Sequence, residues 1–282
     1  MEKRTDLAFE CYEQQEKTKL DGVIIRDTGD ITTVEITNVN GSLSLGKPIG
    51  KYITYKVAEN FEKFFSFENS VATLKDLILR LLPVGDNDSV LVACFGNPMI
   101  TADSIGPKVF KNILATRHLA ENENICDKVK FRSVSSVCSG VLAQTGIESG
   151  EIIEAVVSKI NPQCIIAVDA LAASSCTRLG NTIQISDSGI VPGSGVGNHR
   201  FEISEKTLGV PVVSIGIPTV VDTSVIVGEK MKIVEEKTAN GVFVTPREID
   251  KITTIGSRIV SMAINCALQQ NYTYDELTSL LA

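Results

Sequence analysis

Cys164-Ile165-Ile166-Ala167-Val168-Asp169-Ala170 is the stretch whose reading decides the fold. Five apolar residues in a row leave no polar face, so a strand made from them is buried on both sides. Val90-Leu91-Val92-Ala93-Cys94-Phe95 has the same character upstream, and Pro211 to Ile217 has it downstream. Between these runs apolar residues recur at helical spacing. Val71, Leu74, Leu77, Ile78, Leu81 and Leu82 form one stripe, ended by Pro83. Ile105, Val109, Ile113 and Leu114 form another after a cap at Asp103 or Ser104, with Ile152, Ile153, Val156, Val157 and Ile160 a third. Lys128 to Val137 reads as a further strand. Apolar strands alternating with amphipathic helices predict an α/β fold, a doubly wound, mostly parallel sheet with helices on both faces.

The N-terminal part has a different texture. Val23-Ile24-Ile25, Thr32-Thr33-Val34-Glu35-Ile36 and Tyr52-Ile53-Thr54-Tyr55 are short β-like runs separated by turn signals at Asp30 and Asn40-Gly41. They predict a small antiparallel subdomain. At the other end Thr245-Pro246-Arg247-Glu248 reads as a capping box opening a helix, with Ile249, Ile252, Ile255, Ile259 and Met262 on one face.

Composition narrows the function. A chain of 282 residues with 43% hydrophobic content can bury a large core. A net charge of −7 argues against a broad nucleic-acid-binding face. No apolar run approaches the roughly 20 residues that span a bilayer, and no signal peptide is legible, so the reading is a cytoplasmic protein without a membrane partner. The seven cysteines are scattered, with no C-x-x-C pair, and read as reduced structural thiols.

The chemistry concentrates where such sheets bind ligands, beyond the carboxyl ends of the strands. Asp169 closes the Cys164–Val168 run, and Asp103 follows Val90–Phe95 across Gly96-Asn97-Pro98. A carboxyl group at the end of an apolar strand needs either a cleft or a hydrogen-bonding job. Helix capping for Asp103 and loop anchoring for Asp169 are the competing structural readings. Gly193-x-Gly195-x-Gly197, followed by Asn198, offers backbone amides to a ligand or simply a turn; it lacks the pattern of a P-loop or a dinucleotide fingerprint. H-E-x-x-H and G-x-S-x-G are absent from the sequence. A nucleophilic serine or cysteine would depend on His118 or His199, of which His199, beside the glycine loop, is the better placed.

Several blocks together carry a resemblance. They are Asn97 with Thr101-x-Asp103-x-x-Gly106-Pro107, Gln144-Thr145-Gly146-Ile147-Glu148, Val168-Asp169-Ala170-Leu171-Ala172-Ala173, Thr182 to Asn198, and Gly216-x-Pro218-Thr219-Val220-Val221-Asp222. The N-terminal Arg4-Thr5-Asp6-Leu7-Ala8 joins them, running acidic-apolar-small-x-acidic from Asp6 to Glu10. The chain resembles the germination proteases of spore-forming bacteria. That resemblance implies an α/β fold of the phosphorylase/hydrolase kind, shared with hydrogenase-maturation peptidases. It implies a peptidase of small acid-soluble spore proteins, made as a zymogen in the forespore and spore core and assembled as a homotetramer. It implies catalytic carboxyls at Asp103 and Asp169 and self-cleavage between Asp6 and Leu7. Residues 1–6 are then a pro-segment, 7–69 an extension carrying the small β subdomain, and 70–282 the peptidase domain. Asn97, Gly193, Gly195 and Asn198 are the substrate-binding candidates. No cofactor is required by this reading, although a divalent metal held by the two carboxylates and His199 is an open alternative. A metal-dependent peptidase of the maturation type and a non-catalytic ligand-binding protein of the same fold are the rival functions.

Overall fold

The computed structural model describes residues 5–15, 20–57, 64–120, 130–193, 201–222 and 242–281. Its strands are β1 (Val23–Asp27), β2 (Ile31–Ile36), β3 (Gly50–Lys56), β4 (Val90–Cys94), β5 (Val134–Cys138), β6 (Cys164–Ala173), β7 (Thr182–Ser186), β8 (Val212–Asp222) and β9 (Phe243–Val244). The helices are α1 (Ala8–Gln14), α2 (Val39–Leu45), α3 (Phe64–Leu81), α4 (Ile105–Phe110), α5 (Arg117–Ala120), α6 (Leu142–Thr145), α7 (Ser149–Ile160), α8 (Glu205–Leu208), α9 (Ile249–Leu268) and α10 (Tyr274–Leu281). One sheet runs in the order β1-β2-β3-β7-β8-β6-β4-β5, with β9 paired to β8.

The predicted apolar runs form the parallel half of that sheet, β8-β6-β4-β5. Pleating sends alternate residues to opposite faces. From β4, Val90, Val92 and Cys94 pack with Leu74, Ile78, Ile105 and Ile259 of α3, α4 and α9. Leu91 and Ala93, with Phe95 just beyond, pack with Ile153 and Val157 of α7. Helices therefore cover both faces, as an α/β fold requires, and each fully buried Leu or Ile contributes roughly 1.5–3 kcal/mol.

The N-terminal strands are antiparallel as expected, but they do not stand apart. β3 pairs with β7 from Tyr52↔Ser186 to Lys56↔Thr182, so β1, β2 and β3 continue the same sheet. Where a turn was expected at Asn40-Gly41, the chain forms α2. Asn38 caps it by accepting the Gly41 N–H at 2.9 Å, which places the pair inside the first turn. Gly41 is needed there, because a Cβ would lie 2.5 Å from the Gly22 carbonyl oxygen.

Three boundaries differ from expectation, the first two through long-range contacts. Of the strand expected over Lys128–Val137, the described residues from 130 on form strand only from Val134. Upstream of it Phe131 stacks on Tyr272, and Arg132 donates to the Leu268, Gly85 and Asp88 carbonyls. The C-terminal helix starts at Ile249 with no capping box, because the Thr245 hydroxyl donates instead to the Thr219 carbonyl at 2.9 Å. The helix carrying Ile105 and Val109 stops at Phe110 and follows a 3-10 turn over Thr101–Asp103.

Candidate active site

Asp169 lies inside β6 rather than at its end, because β8 runs alongside as far as Asp222 and extends the pairing. It sits opposite Gly216 and is 4% exposed. Its Oδ1 accepts the Ala170 N–H at 2.8 Å, and the Gly193 N–H also reaches it. Burial raises its pKa well above the usual carboxylate range. The neighbouring Asp103 and Asp6 push in the same direction, while the two amides oppose them.

Asp103 reaches the site from the turn after β4. Its Oδ2 accepts the Asn97 N–H at 2.8 Å, and the helix cap falls to Ser104, whose hydroxyl bonds back to Thr101. Two glycines permit this close approach. A Cβ on Gly96, at φ 117°, would lie 2.1 Å from the Asp103 carbonyl oxygen, and one on Gly106 would lie 2.1 Å from that of Phe95. Asp103 and Asp169 line one cavity of about 250 Å³, together with Gly140, Ser149, Gly193 and Thr219.

A third carboxyl group completes that cavity. Asp6 lines it too, brought there by the N-terminal segment. β4 stops opposite Val168, so the end of β6 lacks a partner strand on that side. Asp6 supplies partners: its N–H donates to the Ala172 carbonyl at 2.9 Å, and its Oδ2 accepts the Ala172 N–H at 2.8 Å. Gln184 grips the next peptides, donating to the Asp6 carbonyl at 3.0 Å and accepting the Ala8 N–H at 2.8 Å. Lys47 Nζ donates to the Thr5 carbonyl at 3.0 Å.

Each residue of the acidic-apolar-small-x-acidic stretch has its own surroundings. Leu7 is fully buried against Leu171, Ala173, Leu179 and Ile190. Ala8 packs with Val34 and Tyr52. Glu10 is 2% exposed and accepts the Ser174 N–H at 2.6 Å and the Thr5 hydroxyl, with Arg178 Nε 3.4 Å away. Arg178 also pairs with Glu13 at 2.6 Å and lies over the Phe9 ring.

Asp6, Asp103, Asp169 and Gly193 thus meet in one cavity, with Leu7 buried beside it against Leu171. Asn97 does not line the cavity: its side-chain oxygen accepts from Met99 N–H and from Gln144 Nε2, so it shapes the loop that carries Asp103. Gly195, Asn198 and His199, like Arg4, lie outside the described residues. His118 and the described cysteines are not part of the cavity wall. Among the described residues no three His, Cys, Asp or Glu side chains gather as a metal site. Sequence reasoning missed Gln184, Arg178 and the place of Thr219 on the cavity wall. Gln184 carried a signal, a lone amide between the two isoleucines of the buried Thr182–Ser186 strand. Arg178 carried none.

The family model for germination proteases matches residues 2–237. The chain belongs to the germination protease family. The germination protease of Caldanaerobacter subterraneus subsp. tengcongensis is 38% identical over 316 aligned positions, covering 99% of this chain and 98% of that protein. The germination protease of Clostridium perfringens strain ATCC 13124 is 35% identical over 322 positions, with the same coverage. That of Priestia megaterium is 45% identical over 235 positions, covering 78% of this chain and 63% of its own. Among solved structures, a NiFe hydrogenase maturation protease, HycI from Thermococcus kodakarensis KOD1, aligns at a TM-score of 0.38 and 16% identity, over 68% of this chain and 98% of that one.

No helix among the described residues is long and apolar enough to cross a membrane.

Proposed function

We propose that this chain is an endopeptidase that begins the breakdown of small acid-soluble spore proteins during germination, made as a zymogen that cuts itself between Asp6 and Leu7. Membership of the germination protease family supports the peptide-hydrolase class and its place in germination. One observation carries the self-processing reading: the Asp6–Leu7 junction is held against the cavity that Asp103 and Asp169 line. On this reading residues 1–6 are the pro-segment, substrate proteins add a strand to the free edge of β6 in the manner of Asp6, and the enzyme works as a homotetramer in the spore core.

In the mechanism Asp169 begins protonated, favoured by burial and by the charge of Asp103. Asp103, an acceptor for the Asn97 N–H, is the ionised partner. It takes one proton from a water whose oxygen bonds to the scissile carbonyl carbon, and the carbonyl π pair moves onto oxygen. When that pair re-forms the C=O bond, the C–N bond breaks and Asp169 gives its proton to the leaving amine. One water is consumed for each peptide bond. The proton left on Asp103 returns to solvent and Asp169 is reprotonated, so the two titrate as a coupled pair.

The test is cleavage of a peptide containing the chain's own Thr5–Glu10 sequence by the purified protein and by its Asp103→Asn and Asp169→Asn variants. Mass spectrometry follows the peptide and the N-terminus together. Cuts after the acidic residue in both, lost in either folded variant, support the reading. Undiminished cleavage in both variants overturns the carboxyl mechanism. Tight peptide binding without cleavage by the wild type would favour a non-catalytic binding protein.

A further inference from the structure

Where β6 and β8 pass the candidate site, β8 carries one residue more than its neighbour. Leu171 pairs with Pro218 and Ala172 with Val220, which leaves Thr219 as the extra residue of a bulge. Bulges break the ladder locally and re-aim a side chain, and they gather beside active sites. This one is latched by hydrogen bonds: the Thr219 carbonyl accepts the Thr245 hydroxyl at 2.9 Å, and the Pro218 carbonyl accepts the Gly180 N–H at 2.9 Å.

Thr219 is among the residues that line the cavity holding Asp103 and Asp169. Thr219 is 1% exposed, and its hydroxyl has no hydrogen-bond partner among the described residues. Burying a hydroxyl without a partner destabilises a fold, and a valine of the same shape would avoid the penalty. A group kept in that condition is explained when a ligand completes it. The other polar side chains on the described cavity wall are already occupied or of the wrong kind. Ser149 donates to the Gly140 carbonyl, and Asp6, Asp103 and Asp169 are carboxyl groups. The Gly193 amide is directed to Asp169.

Hydrolysis of a peptide places negative charge on the carbonyl oxygen, which a neutral donor in a shielded pocket can stabilise. We infer that the Thr219 hydroxyl donates a hydrogen bond to the carbonyl oxygen of the scissile peptide and holds it as charge develops there. The inference rests on the peptidase reading of Asp103 and Asp169. Thr219 is then a catalytic residue alongside the two carboxyls, and Thr245 and Gly180 position it through the bulge.

The experiment compares Thr219→Val and Thr219→Ser with the wild-type full chain, on self-processing and on the Thr5–Glu10 peptide, with a melting curve for each. Thr219→Val should fold with a melting temperature equal to or above wild type, lower kcat by about 100-fold and leave KM nearly unchanged. Thr219→Ser should keep most of the rate. Full kcat in Thr219→Val, while Asp103→Asn and Asp169→Asn are inactive, overturns the inference and leaves the carboxyl mechanism standing. A loss of rate matched by a fall in melting temperature also overturns it, assigning Thr219 to the fold alone. Wild-type rates in the two aspartate variants would instead remove the peptidase reading and this inference with it.

Discussion

Asp6 and Ala172 are joined in both directions, backbone N–H to carbonyl at 2.9 Å and Ala172 N–H to the Asp6 carboxylate at 2.8 Å, across 166 residues of sequence. On the proposed self-processing reading, the acidic residue before the cut is read by a strand, through a charge-assisted bond worth about 1.5–3 kcal/mol. Asp6→Ala should slow self-processing roughly 10- to 100-fold and lower the melting temperature by a few degrees, since the same bond is lost from the folded chain. Time courses of the mass of the N-terminal fragment check this. An unchanged rate would mean that the carboxylate is not read.

Glu10 depends on Arg178 through charge and not through a hydrogen bond: the carboxylate is 2% exposed and Arg178 Nε lies 3.4 Å away. Removing one partner of such a pair costs more than removing both. Arg178→Met should destabilise the chain by about 2 kcal/mol, and adding Glu10→Gln should recover part of that loss. Urea unfolding of the two single variants and the double variant measures the coupling. Purely additive effects would contradict a direct link.

The raised Asp169 pKa fixes a direction with pH. The folded chain holds this proton more tightly than the unfolded chain, so the contribution to stability is full below about pH 4 and is lost as pH rises through the folded-state value. Asp169→Asn cannot ionise. It should match wild type near pH 4, melt higher at pH 8, and cleave about 1000-fold more slowly throughout. Wild-type kcat should in turn fall on the alkaline side as the proton leaves. A variant that melts lower at pH 8 would refute the burial argument.

Gly96 sets where Asp103 stands. A methyl group there would overlap the Asp103 carbonyl oxygen, at a backbone φ of 117° that other residues rarely adopt. Gly96→Ala should lower kcat about 100-fold through displacement of the carboxyl, and destabilise the fold by at least about 1 kcal/mol. Rate and melting temperature measured together separate the two effects.

A reaction run by Asp103 and Asp169 alone draws on no metal. Dialysis against EDTA should leave peptide cleavage unchanged. A loss restored by one divalent cation would move attention to a metal held by the carboxylates and His199.

The parallel half of the sheet was legible because its strands are buried on both faces and so read as unbroken apolar runs. Asp169 was legible for the same reason: a carboxyl group inside such a run stands out. Asp103 required only the step from a strand to the turn that follows. What escaped reading depends on distant partners. The Thr219 bulge exists only because β6 lies beside β8, and nothing local distinguishes that threonine. Arg178 acquires meaning only when the N-terminus folds back onto it. Asn40-Gly41 looked like a turn because local chemistry favours one, until Asn38 capped a helix across it. The Thr245 capping pattern lost its hydroxyl to Thr219.

The gripping of Thr5 to Glu10 along β6 also governs the kinetic order of any cut at Asp6–Leu7. Both reactants belong to one folded body, so their encounter is set by geometry and not by dilution. The half-time of the event is then a property of a single molecule, the same in a concentrated solution as in a nanomolar one. Each copy keeps its own clock.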